Sequence, residues 1–339
     1  MARRPLRIVP ERRPRVGLVL GAGGVLGAAW MAGALVALQE RLARPLGTAD
    51  LIVGTSAGSV MAAALRCGFD VEQIVEHQRG SRLIALPHLS QLDRDSGPLP
   101  PLPRLRIGSP RLLASTALAP HRVRPWVAAS GLVLEGRGQL RYLGALVNAM
   151  IAREDGDPAG PLRTWPDRET WIVAVDYESG RRISFGRPGT PAVPLADAVV
   201  ASCSIPGWYE PKSINGRRYV DGGVCSSTSL DLLARADLDE VYVLAPMASY
   251  LLDRPWHPGV RLERMLRRVV TIGLGREERK VRATGARVTV LTPGPEDLAV
   301  MGANLMNPAP RQRVLETSLR TSAAALAERE EPTGTARAA

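Results

Sequence analysis

Leu51-Ile52-Val53-Gly54-Thr55-Ser56-Ala57-Gly58-Ser59-Val60-Met61-Ala62-Ala63-Ala64-Leu65 is an apolar run, a glycine-bracketed serine and a stretch of small residues. The order reads as strand, sharp turn and helix, with Ser56 at the turn. A turn this tight forces the serine backbone into an uncommon conformation, and Gly54 and Gly58 make room for it. The hydroxyl then stands at a helix N-terminus, where free amides and the helix dipole favour negative charge. A nucleophilic serine is displayed in this way, so the stretch points to acyl chemistry.

Outward from this turn, strands alternate with helices. Val16 to Leu20 reads as a buried first strand, followed by the turn Gly21-Ala22-Gly23-Gly24 and a helix from about Val25 to Leu42. Later strands are expected at 171–175, 182–185, 217–220, 240–244 and 287–291, with Asn215-Gly216 as a hairpin turn before the third of these. The alternation implies an α/β fold with three layers, α/β/α, around a mostly parallel central sheet. Leu262, Met265, Leu266, Val269 and Ile272 mark a helix with one apolar face, and Arg264, Arg267 and Arg268 on its other side read as a solvated face. The domain plan is a basic flexible arm over 1–14, one α/β domain over 15–327 and a disordered tail over 328–339. Within the domain, residues 80–138 form an irregular Pro- and Arg-rich insertion, and 246–327 a helical and strand extension.

The chain has 339 residues, 45% of them hydrophobic but only 4% aromatic, so its core must be aliphatic and rich in alanine. No run of about 18 apolar residues suggests a membrane span, and the short apolar run after the basic N-terminus does not resemble a secretory signal. Three cysteines, Cys67, Cys203 and Cys225, argue by odd number and spacing against a disulfide framework or a zinc site. The default location is therefore cytoplasmic. The net charge is +11 and the pI about 10.5. That balance fits attraction to an anionic membrane surface, or a bias in which every basic residue but Lys212 and Lys280 is arginine. No aromatic interleaving or recognisable module suggests a nucleic-acid partner. Five arginines and no acid lie between Arg104 and Ala128, which makes the insertion a candidate lid or membrane-docking surface, or simply a structural excursion.

Gly21-Ala22-Gly23-Gly24-Val25-Leu26-Gly27 sits at a strand-to-helix junction and fits a dinucleotide fingerprint poorly. Its adjacent amides suit an oxyanion hole better, because a serine turn follows about thirty residues later; close packing of strand on helix is the plainer use of the glycines. Asp221, in Val220-Asp221-Gly222-Gly223, ends a predicted strand and is the candidate base, although such an aspartate also serves as an ordinary turn or cap residue. A Ser–His–Asp triad in α/β-hydrolase order would need His257, and the serine turn comes early for that fold. His77, His88, His121 and His257 read instead as ordinary surface or loop residues.

Three separated elements together resemble the patatin-like phospholipases, lipid acyl hydrolases with a Ser–Asp dyad. They are Ala22-Gly23-Gly24-Val25-Leu26-Gly27, Gly54-Thr55-Ser56-Ala57-Gly58 and Asp221-Gly222-Gly223, and Ala201-Ser202-Cys203-Ser204-Ile205-Pro206-Gly207 is similar to the family's approach to its aspartate. The resemblance covers about residues 16–245. It implies a patatin-like fold, Ser56 as nucleophile, Asp221 as general base, and an oxyanion hole from the amides of Gly23, Gly24 and Ala57, with no metal or cofactor. The substrate is then a lipid or other acyl ester. Ala22 and Leu26 depart from the family pattern, which usually starts with glycine and has a basic residue before its last glycine. Residues 80–138 match no family feature. Transfer of the acyl group to an acceptor other than water, or lipid binding by a weakened site, are the rival functions, with dinucleotide binding behind them.

Overall fold

The computed structural model describes residues 13–81, 99–155, 164–251, 253 and 255–328. The arm expected over 1–14 lies outside these residues except for Arg13 and Pro14, which are exposed. Residues 82–98 of the expected insertion and all but the first residue of the expected tail also lie outside them.

One sheet organises the chain. Its parallel part comprises β1 (Val16–Leu20), β2 (Leu51–Thr55), β3 (Thr170–Asp176), β7 (Glu240–Leu244) and β8 (Arg287–Leu291), in the order β3-β2-β1-β7-β8. Three shorter strands, β4 (Arg182–Phe185), β5 (Lys212–Ile214) and β6 (Arg217–Asp221), join it antiparallel: β4 and β6 pair with β3, and β5 with β6. β1, β2 and β3 are buried along their whole length, as the apolar runs require of strands covered on both faces. Asn215 and Gly216 both adopt positive φ between β5 and β6, the two-residue turn that this dipeptide favours.

Helices cover both faces, giving three layers. On one face α1 (Gly24–Leu42), α2 (Ala57–Arg66), α3 (Val71–Arg79), α6 (Arg141–Asp155), α7 (Leu195–Cys203) and α10 (Arg311–Ala327) enclose the larger core. α3 starts as the sequence indicates: the Asp70 side chain accepts from Gln73 N, and Gln73 reciprocates on the Asp70 amide. On the other face α8 (Pro258–Arg282) and a 3-10 segment at Leu230–Arg235 enclose a second core with Val19, Val53 and Val173. The part beyond residue 245 completes the sheet through β8, and α9 (Pro295–Met301) leads into α10.

The insertion is not wholly irregular. It carries α4 (Pro110–Leu118), capped by Ser109, and α5 (Pro125–Ser130). Leu112, Val123 and Val127 pack there on Tyr177, Val175 and Val220. Three of its arginines meet acids, one of them within the insertion itself: Arg104 and Arg106 pair with Glu135, Arg104 also with Glu210, and Arg111 with Glu178. Glu135 itself is buried; burial alone would raise its carboxyl, but the two guanidiniums hold it below its ordinary range.

The sequence reading of α8 is inverted. Arg264 and Arg267 are 3% and 2% exposed, while Leu262, Met265, Leu266, Val269 and Ile272 face outward; only Arg268 of the three arginines lies on the surface as expected. Spacing distinguishes two helix faces but not which one turns inward. Here the guanidiniums find fixed acceptors: Arg264 bonds the Asp253 carboxylate and Leu298 O, and Arg267 bonds Glu263 and the carbonyls of Pro246 and Ala248. A buried charge satisfied in this way is tolerated.

α1 and α10 meet at Gly33, where an added Cβ would lie 2.7 Å from Leu319 N and 2.8 Å from Ser318 Cβ. Gly33→Ala gains up to about 1 kcal/mol of helix propensity but overpacks this crossing by about 1–3 kcal/mol. Urea unfolding is therefore expected to show a net loss of stability; a gain would mean that α10 moves away at no cost.

Candidate active site

The sheet itself brings Ser56 and Asp221 together. Parallel pairing of β2 with β3 ends at Thr55 opposite Val173, and antiparallel pairing of β6 with β3 begins at Asp221 opposite Ala174. β4 pairs with Ile172 to Val175 and so occupies the other edge of β3. β2 and β6 therefore share one edge, approaching from opposite directions, and Ser56 and Asp221 stand where they meet.

Ser56 adopts φ 53° and ψ −123° as the N-cap of α2, a conformation disfavoured for any residue with a Cβ. It is held by its backbone. Its amide donates to Ser202 Oγ at 2.8 Å, and Ser202 Oγ donates to Val173 O at 2.6 Å. Its carbonyl accepts from Ser59 N at 2.8 Å and Ser59 Oγ at 2.6 Å. Gly54 is the last residue but one of β2, and Gly58 lies in the first turn of α2; a Cβ on Gly58 would fall 2.0 Å from Leu20 O, so the elbow can press on β1 only with glycine there.

Asp221 is 4% exposed and its amide donates to Ser204 O. Its Oδ1 accepts from Gly223 N at 2.7 Å, within the tight 3-10 turn Gly222–Val224. Burial raises its pKa from 3.8 to about 6, opposed by hydrogen bonds from the Ser56 hydroxyl and the Gly223 amide. A carboxylate at this value is a far better base near neutrality than an ordinary aspartate. Cys203, beside the pair, is driven up to about 12 by burial and by the charge of Asp221, so it remains a thiol.

The glycine turn lies at the end of β1. The amides of Gly21 and Ala22 are committed to Leu244 O and Ser227 O, and that of Leu26 to Leu305 O. Gly27 N donates to Gly23 O inside the first turn of α1. Among the described residues, the amides of Gly23, Gly24 and Ala57 have no protein acceptor. Gly24 has φ +59°, and a Cβ there would meet Met306 Sδ at 2.8 Å. Leu26, where a basic side chain was the expected pattern, is fully buried in the larger core.

Ser56, Ala57 and Gly24 border a cavity of about 270 Å³ walled by side chains such as Val25, Val60, Met61, Leu143, Leu146 and Met150. Its length is built by α1, α2, α3 and α6, and an alkyl chain is the chemistry such a wall accepts. His77, Gln78 and Arg311 are among the polar residues of the lining. Burial lowers the pKa of His77, and its Nδ1 lies 3.0 Å from Ser81 O. His77 was read as an ordinary surface residue; its place on the cavity wall has no signal in the sequence. His257 caps α8, its Nδ1 accepting from Gly259 N, and His121 lies in a 3-10 turn; His88 lies outside the described residues. Among the described residues, no hydrogen bond of Ser56 or Asp221 runs to a histidine.

The raised pKa of Asp221 carries a stability cost. Below about pH 4 its carboxyl is protonated in both folded and unfolded chains; between about 4 and 6 only the unfolded chain ionises, and stability falls. Above 6 the full penalty, roughly 3 kcal/mol, is present. Asp221→Asn is therefore expected to raise the melting temperature at pH 8, with the gain shrinking toward pH 4.5. A gain that does not change with pH would contradict the assignment.

A sequence profile described as patatin-like phospholipase matches residues 18–234. Among solved structures, VipD from Legionella pneumophila is 14% identical, with 93% of this chain and 67% of that one aligned and a TM-score of 0.43. ExoU, in its complex with SpcU from Pseudomonas aeruginosa, is 16% identical, with 95% and 54% aligned and a TM-score of 0.44. The human GIVD cytosolic phospholipase A2, solved with methyl gamma-linolenyl fluorophosphonate, is 12% identical, with 93% and 58% aligned and a TM-score of 0.39. The chain thus spans from about half to two thirds of the length of these proteins. The profile covers well over half of the chain and takes in the glycine turn, the serine elbow and the Asp221 turn, and on that match the chain belongs to the patatin-like phospholipase family.

Proposed function

We propose that this protein hydrolyses carboxylic ester bonds of lipids, phospholipids included, through an acyl-enzyme on Ser56. The observation that carries the reading is the Ser56 hydroxyl bonded to a buried, weakly acidic Asp221 beside an apolar cavity. Membership of the family supports a lipid substrate.

In this reading the acyl chain lies in the cavity with its ester carbonyl over Ser56. Oγ attacks the carbonyl carbon as its proton passes to the Asp221 carboxylate. The oxyanion that forms is met by the free amides of Gly23, Gly24 and Ala57. Collapse of the tetrahedral adduct breaks the ester C–O bond, and the leaving alkoxide takes the proton from Asp221. Water then attacks the acyl-enzyme, giving a proton to Asp221; the second adduct collapses to free fatty acid, and the proton returns to Ser56. The same residues serve each proton transfer, and no step calls on a metal or a cofactor. Ser202, which holds the Ser56 amide, is a positioning residue.

A fluorophosphonate is expected to form one covalent adduct on Ser56, read by mass spectrometry, and none on folded Ser56→Ala. Labelling elsewhere, or none on wild type, would overturn the assignment. Because Asp221 must be ionised to act as base, kcat/KM on a soluble ester is expected to fall about tenfold per pH unit below about 6. A flat profile down to pH 4.5 would remove Asp221 from that role.

A further inference from the structure

The outward face of α8 has no use in this chemistry, yet its composition is selective. Leu262, Met265, Leu266, Val269 and Ile272 are 46–60% exposed. At about 100° per residue they fall within an arc of roughly 120° and a length of about 15 Å. Beside them Arg261, Arg268, Arg276, Arg279 and Lys280 are exposed. Among the described residues, Arg261, Arg268, Arg276 and Arg279 have no carboxylate partner. The acids of the helix are engaged elsewhere: Glu263 with Arg264 and Arg267, Glu277 buried against Thr228 and the Leu230 amide, and Glu278 with Arg282 and Tyr250. The exposed arc is thus apolar along its crest from Leu262 to Ile272, with Arg261, Arg268 and Arg279 along its flank and Arg276 and Lys280 continuing it beyond Ile272. Trp256, just before the helix, is 97% exposed.

The stripe lies in the half of α8 nearest the catalytic end of the sheet. Arg267, within the same turns, bonds Pro246 O at the end of β7, and the Pro246 side chain packs on the Gly23 turn. No helix among the described residues is long and apolar enough to cross a membrane, so α8 would lie on one rather than span it.

The candidates for covering this face differ in charge. Residues 1–12 carry four arginines and one acid, and 329–339 have no apolar side chain larger than proline. Two copies of this chain meeting stripe to stripe would bring their cationic flanks together. A bilayer with anionic headgroups accepts the crest among its acyl boundaries and the arginines at its phosphates. We propose that α8 docks the protein on an anionic phospholipid surface, with the stripe from Leu262 to Ile272 inserted at the headgroup level. The proposal goes beyond the hydrolase reading and does not depend on it, since docking needs no turnover.

The test uses the full chain carrying Ser56→Ala, sedimented with vesicles of phosphatidylcholine plus phosphatidylglycerol or of phosphatidylcholine alone. Binding to the anionic vesicles is expected to weaken at least about tenfold in Leu266→Asp/Val269→Asp. It is expected to weaken several-fold in Arg268→Gln/Arg276→Gln and at about 1 M salt, where screening is short-ranged. All substituted side chains are exposed, so melting curves should match the parent and certify the fold. No binding to anionic vesicles, equal binding to both kinds, or binding unchanged by the stripe substitutions would overturn the proposal. So would a dimer in light scattering that Leu266→Asp dissolves, which would make the stripe a subunit interface. Fluorophosphonate labelling of the Ser56 parent reports separately on the hydrolase reading.

Discussion

One edge of β3 serves two strands end to end. β2 arrives parallel and stops at Thr55, and β6 arrives antiparallel and ends at Asp221. The gap between them is the candidate site. Ladder hydrogen bonds to successive residues of β3 fix both termini, so the separation of Ser56 and Asp221 is a property of register rather than of two independent loops. Placing reactive groups on such rigid elements gives them a precision that loops rarely supply. Ser202 extends the device: its hydroxyl reaches Val173 O and receives the Ser56 amide, tying the elbow to the same edge.

Burial does the electrostatic work. Asp221 is shielded from water and receives two hydrogen bonds, too few to offset its lost hydration, so its carboxyl is less acidic than in solvent. The same dryness acts in the opposite sense on nucleophilicity at Cys203, whose thiol stays protonated next to the serine. The competition between two potential nucleophiles is settled by environment. The strained backbone of Ser56 and the ionised Asp221 both cost folding energy, which the aliphatic cores on the two faces of the sheet supply.

The legibility of this chain in its sequence follows a physical division. Ser56, Asp221 and the glycine turn were readable because backbone constraints dictate residue types there: Gly58 touches Leu20 O, and Gly24 sits at positive φ. The strands at 182–185, 240–244 and 287–291 were readable from apolar runs and turns. Side chains that work through distant partners were not. Nothing local marks Ser202 as the acceptor of the Ser56 amide, although the run around it was singled out. α8 shows the sharper limit. Its period was correct and its orientation reversed, because Arg264 and Arg267 are paid for by carbonyls at 298, 246 and 248, far along the chain. A reading that equates charge with solvent fails wherever strand ends offer unused carbonyls.

The glycine turn leans on residues well past the end of the recognised family segment. Leu26 donates its amide to Leu305 O, and Met306 fills the space over Gly24. Leu305 and Met306 are positioned by the link between α9 and α10, and α10 in turn packs along α1. The evolutionary unit and the working unit are therefore different objects. A piece cut at residue 245 would keep every motif residue and lose the surface that holds the amides of the glycine turn in place. In this protein the ancestry of the site is written in its first two thirds, and its rigidity is inherited from the last.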